Sequence, residues 1–95
     1  MKVRFTGPAR RDLQEIGDWI FADSPRHAML TVDRLQRSCL SLSMLSGRWP
    51  VVTRSGLRRK PDGSYLIFDR VLDEVQIVRV LHAARDWPDL LDDAE

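Results

Sequence analysis

The stretch that most constrains the fold is residues 56–86, GLRRKPDGSYLIFDRVLDEVQIVRVLHAARD. It divides into three short runs separated by two turn signals. The runs 65–71 and 75–81 are rich in Val, Ile, Phe and Tyr, which suit a pleated and packed surface. The first turn lies in Lys60-Pro61-Asp62-Gly63-Ser64. Proline presets one turn angle, aspartate can bond the backbone ahead of it, and glycine accepts the positive φ that closes a bulged hairpin. The second turn centres on Asp73-Glu74. Three strands in a meander leave an apolar face that something must cover. Ninety-five residues build one modest core and no second one, so the upstream half is the cover.

That half reads as a strand and two helices. Lys2, Val3, Arg4 and Phe5 alternate basic and apolar, as a short first strand would. Thr6-Gly7-Pro8 starts a helix, with the proline in the first turn where its missing N–H costs nothing. Ala9, Leu13, Ile16 and Ile20 then form one apolar stripe, carrying the helix to about Ala22. Asp23-Ser24-Pro25 is a second start, with Ser24 as N-cap. Ala28, Val32, Leu35, Cys39 and Leu42 follow in a seven-residue repeat that seats one helix against another. With about two residues between them, the helices form an antiparallel hairpin. Gly47 ends the second helix, and residues 48–55 are a loop containing Trp49-Pro50. A last helical turn fits residues 87–91. The fold class is α+β: an N-terminal strand, then a two-helix hairpin packed on a mainly antiparallel sheet that the three-strand meander completes. Residues 1–95 make one domain.

Composition bounds the function. A hydrophobic content of 43% is ordinary for a soluble fold, and a net charge of +1 gives no bulk argument for a nucleic-acid partner. No sequence-specific nucleic-acid binding is expected. Charge is unevenly placed, with basic residues at 54–60 and five acids in the tail 86–95. Cys39 is the only cysteine, which excludes an intrachain disulfide and a cysteine-based zinc site. Two distant histidines without carboxylates at ligand spacing indicate no metal site and no cofactor. No stretch approaches a membrane span, so the expected location is the cytoplasm.

Turn length decides which strand residues share a face. Three-residue loops at 61–63 and 72–74 predict a face with Leu57, Tyr65, Ile67, Val71, Val75, Ile77 and Leu81, which also holds Arg59, Asp69 and Arg79. This face lies under the helices, with Asp69 and Arg79 close enough to pair. The opposite face carries Leu66, Phe68, Val78 and Val80, flanked by Arg58, Lys60, Arg70, Gln76 and His82. An apolar patch ringed by cations is either a partner's groove or a surface that residues 87–91 fold back to cover. Cys39 reads as core, Ser24 and Thr6 as caps, His27 as a solvated first-turn residue, and Trp19 as a rim residue beside the first stripe.

These pieces in this order resemble the RelE/ParE toxin superfamily, and within it the ParE branch. The matching residues are Ala9, Asp12, Leu13, Ile16 and Ile20 on the first helix, then Ser24-Pro25 with Ala28. In the sheet they are Gly56-Leu57-Arg58, Gly63-Ser64-Tyr65, Phe68, Arg70-Val71 and Ile77-Val78-Arg79-Val80-Leu81-His82, closing in Ala84-Arg85-Asp86. The resemblance implies a compact toxin of a bacterial type II toxin–antitoxin module that inhibits DNA gyrase without catalysis of its own. A ParD-like antitoxin would hold it inactive through a flexible C-terminal segment. On this reading the antitoxin contacts are Leu66, Phe68, Val78, Val80, Arg58, Lys60 and Arg70. The target contacts are Arg58, Arg70, His82 and Arg85. The alternative is the RelE branch, which cleaves ribosome-bound mRNA and draws on sheet cations and often a tyrosine near the C-terminus. Here the C-terminal segment offers Trp87, and Tyr65 is the only tyrosine. A further alternative is a member that binds its antitoxin without toxicity.

Overall fold

The computed structural model describes residues 1–45 and 47–94. The elements run β1 (Val3–Phe5), α1 (Gly7–Phe21), α2 (Pro25–Leu40), α3 (Leu42–Leu45), β2 (Arg58–Asp62), β3 (Tyr65–Val71), β4 (Val75–His82) and α4 (Trp87–Ala94). Both expected helix starts are present. The Thr6 hydroxyl accepts the Ala9 amide at 3.3 Å and Ser24 accepts that of His27 at 3.2 Å, each followed by a first-turn proline. The second helix is shorter than its stripe suggested. It stops at Leu40, where the Ser41 hydroxyl turns back onto Ser38 O at 2.6 Å, and a single turn, α3, follows.

The sheet order is β1-β4-β3-β2, parallel between β1 and β4 and antiparallel elsewhere. The helical hairpin covers one face. Ala9, Leu13, Leu35, Cys39 and Leu42 pack there against Ile67, Val75, Ile77 and Val80. Fully burying such side chains contributes roughly 1.5–3 kcal/mol for each large aliphatic one. The helices cross closely at Gly17, where an added Cβ would stand 3.2 Å from Val32 Cγ2. The other face is also closed. Leu57, Leu66, Phe68, Val78 and Leu81 pack under Leu91 of α4, with Trp87 and Leu90 beside them.

Two irregularities change which residues face which way. The first hairpin has a two-residue loop, because Asp62 pairs with Tyr65. Gly63 has φ +56° and Ser64 has no positive φ, the pattern of a type II′ turn with glycine first. Relative to the expected three-residue loop, this rotates all of β2 to the opposite side. Arg58 and Lys60 therefore face the helices, while Leu57 and Arg59 face α4. The second loop is as expected, with Val71 opposite Val75. The second irregularity is a bulge in β4. Phe68 pairs with Arg79 but Asp69 pairs with Ile77, so Val78 is the extra residue. A bulge reverses the alternation beyond it. Val80 returns to the helix face and Leu81 goes to the outer one.

Beyond Ile77, β4 has no partner in β1. The start of α1 takes that place. The Thr6 amide donates to Ile77 O at 3.0 Å, the Thr6 hydroxyl lies 2.9 Å from the same oxygen, and the Val80 amide donates to Asp12 Oδ2 at 3.0 Å. Of the acidic tail, Asp92, Asp93 and Glu95 lie outside the described side chains.

Candidate functional site

The cations expected on one open face are divided among three places. Lys60 Nζ donates to Ser38 O at 3.0 Å and Ser41 Oγ at 2.9 Å, neutralising the C-terminal end of α2 where carbonyls lack helical partners. Arg58 Nη1 donates to Trp49 O at 3.2 Å and Gly47 O at 3.4 Å, fastening the loop before β2. Both side chains thus hold backbone on the helix side, contrary to their expected position beside Phe68. Val80 is likewise corrected to the helix-side core at 1% exposure. Leu66, Phe68 and Val78 are on the outer face as expected, and α4 covers them, which is the second of the two readings of that face. Phe68 is fully buried, its ring 5.3 Å from that of Trp87, and Arg59 lies 5.4 Å from the Trp87 ring centre. Arg70, opposite Gln76, is half-buried on that face.

The expected Asp69–Arg79 pair is replaced by two separate arrangements. Arg79 grips Asp12 of α1 with two nitrogens, at 2.6 and 2.9 Å. Asp69, opposite Arg58, is 2% exposed and its Oδ2 has no hydrogen-bond partner. Burial pushes its carboxyl up to about 6, against the opposing pull of Arg58. Burial also pushes the Cys39 thiol up to about 12, which removes it as a nucleophile.

His82 and Arg85 stay exposed, but they open on the helix side rather than the outer face. They line a groove of about 870 Å³ between α1, the start of α2 and the far end of the β2–β3–β4 hairpins. The His82 and Tyr65 rings meet edge to face at 5.3 Å. Ile16, Ile20 and Val80 also line the groove, as does Trp19 of α1, which is 82% exposed. Arg34 closes one side, its Nε donating to Asp62 Oδ1 at 3.0 Å while Nη2 lies over Gly63. Trp19 left a trace in the sequence as a large aromatic just off the buried stripe. Tyr65 was legible as the only tyrosine, on the helix-side face; Arg34 left no trace, because its place depends on segments 28 residues apart meeting.

The family model of the ParE toxin of the type II toxin–antitoxin system parDE matches residues 3–87. The chain belongs to the ParE toxin family. That match runs from β1 to the first residue of α4, so the ParE fold includes the helical cover, the whole sheet and the groove between them. Among relatives, the chain is 31% identical over 96 residues to a candidate toxin of Sinorhizobium fredii, Y4kP, covering 95% of this ParE chain and 96% of that protein. Its fold is similar to a chain of the chromosomal ParDE system of P. aeruginosa, with TM-score 0.78 and 22% identity over 86% of this chain and 95% of that one. It is also similar to a chain of the RelBE2 toxin–antitoxin complex of Mycobacterium tuberculosis, with TM-score 0.60 and 30% identity over 85% and 95% of the two chains. Among the described residues, no helix is long and apolar enough to cross a membrane.

Proposed function

We propose that this ParE-family toxin acts in the cytoplasm as a non-catalytic inhibitor of DNA gyrase, and that a ParD-like antitoxin neutralises it. The observation that carries this reading over RNA cleavage is the division of the cations. A 2′-OH attack on phosphate needs a proton shuttle and several cations around one reacting group. Arg58 and Lys60 are instead engaged with backbone on the helix side, Arg70 is on the opposite face, and His82 with Arg85 is at a third place. Arg70, His82 and Arg85 keep enough exposure to serve as target contacts. An antitoxin could reach Leu66, Phe68 and Val78 only by lifting α4.

The test is a supercoiling assay with purified gyrase, scoring linearised DNA as well as lost supercoils. Inhibition with accumulated cleaved DNA is expected; full supercoiling in the presence of folded toxin refutes the gyrase reading.

A second reading is ribosome-dependent mRNA cleavage. The 30% identity to a chain of the RelBE2 complex and the contact of Tyr65 with His82 beside Arg85 favour it. It predicts that translating ribosomes cut mRNA in the presence of this chain and that His82→Ala abolishes cutting with the fold intact.

A further inference from the structure

We propose that the solvent-facing side of the α1–α2 hairpin docks a second copy of this chain. In the dimer α1 lies antiparallel to α1 and α2 antiparallel to α2 about one two-fold axis. The inference concerns the free toxin and does not depend on its target.

The two helices leave a groove of about 760 Å³, with Phe21 and Met29 near their connection and Leu40 at the far end. Each of these three exposes more than half of its surface. Clustered exposure of large apolar side chains marks an interaction surface, whereas scattered single ones do not. The charges between them are ordered. Along α1 the exposed stripe reads Arg10, Gln14 and Asp18, a base, an amide and an acid at successive turns. Gln14 Nε2 donates to Asp18 Oδ1 at 3.0 Å, which holds the acid in the stripe. On α2, Asp33 and Arg37 form an exposed pair at 3.0 Å.

A partner of one charge sign meets repulsion somewhere along α1, an acidic one at Asp18 and a basic one at Arg10. The stripe fits a helix whose charges run in the reverse order, and an antiparallel copy supplies that by symmetry. An axis at the level of Gln14 sets Arg10 of each copy against Asp18 of the other. The helices meet where Gly17 lies against Val32. Stepping from Gly17 back to Gln14, and equally far forward from Val32 on the antiparallel helix, places the same level at Leu35. About that level Asp33 faces Arg37 of the second copy, and Met29 approaches Leu40 of the second copy. Both helices therefore find matching partners about a single axis.

The face is small. Helices about 22 Å long, packed about 10 Å apart, offer roughly 450 Å² in each copy, the low end for specific association. The dimer is accordingly reversible, with a dissociation constant on the order of 10 µM.

The test is sedimentation velocity on the purified chain from about 1 to 300 µM, a range that brackets this constant. The parent, Arg10→Glu, Asp18→Arg, Met29→Lys and Trp19→Ala are compared, with melting curves confirming that each is folded. The parent is expected to pass from monomer to dimer. Arg10→Glu, Asp18→Arg and Met29→Lys should each weaken association about tenfold or more, and Trp19→Ala, on the opposite side of α1, should leave it unchanged. An equimolar mixture of Arg10→Glu and Asp18→Arg chains should dimerise again, because the mixed dimer sets each introduced charge against its opposite. A parent that stays monomeric throughout overturns the proposal. So does a dimer indifferent to both charge variants, a mixture that does not recover, or a dimer lost in Trp19→Ala instead.

Discussion

Asp12 of α1 and Arg79 of β4 form a two-nitrogen ion pair that is almost wholly shielded from water, with Arg79 Nε 2.6 Å from Asp12 Oδ2. The same carboxylate oxygen accepts the Val80 amide, and Arg79 Nη1 reaches Leu90 O of α4 at 3.4 Å. One pair therefore ties together the first helix, the open edge of the last strand and the C-terminal helix.

Breaking that pair from one side leaves a charge buried without its partner, which typically costs about 3–5 kcal/mol. Asp12→Ala is expected to lose stability of that order in urea unfolding. Arg79→Met with Asp12→Leu should cost less than Asp12→Ala alone, because no charge stays buried. A double variant as unstable as the single one would show that the pair is not the source of the loss.

The Asp69 carboxyl is pushed up to about 6 from an ordinary 3.8, so the folded state holds this proton more tightly than the unfolded chain. Its contribution to stability is greatest below the ordinary value and is lost as pH rises through about 6. Asp69→Asn should therefore gain stability at pH 7–8 by about 1–3 kcal/mol, at roughly 1.4 kcal/mol per pH unit of displacement. The difference in melting behaviour between variant and parent, followed from pH 4 to 8, checks both sign and window.

Gly63 starts the two-residue turn at φ +56° with Arg34 Nη2 standing 3.2 Å from where a Cβ would go. Gly63→Ala is expected to cost about 1–2 kcal/mol from the backbone alone and to displace Arg34 from its place over the turn. Thermal unfolding reads the first effect. The Trp19 indole resonance, across the same groove, reads the second.

Thr6 both caps α1 and bonds Ile77 O at the end of the β1–β4 pairing. Thr6→Ala should lose about 1–2 kcal/mol, whereas Thr6→Ser should keep most of it. Equal losses in the two variants would assign the effect to the methyl group instead of the hydroxyl.

Cys39 is fully buried with its thiol pushed up to about 12. A thiol-reactive probe at pH 8 should label the native protein at least about a hundredfold more slowly than the urea-unfolded chain. Comparable rates would mean that the helical hairpin opens readily.

The local signals in the chain were enough for the α+β class, both helix starts, the three-strand meander and the ParE family resemblance. Each rests on neighbours in sequence: Thr6 and Ser24 beside their prolines, the stripes on α1 and α2, and the Asp73-Glu74 turn. The faces of β2 and of the end of β4 were not legible, and with them went the expected positions of Val80, Leu81, Arg58 and Lys60. Strand side chains alternate with period two, so one residue removed from a turn or added in a bulge reverses everything after it. The two-residue loop at Gly63-Ser64 and the extra Val78 each do this. The irregular end of β4 is matched by α1, where Asp12 bonds the Val80 amide across 68 residues of sequence. Local chemistry determined which elements form, and long-range pairing decided which way their side chains face.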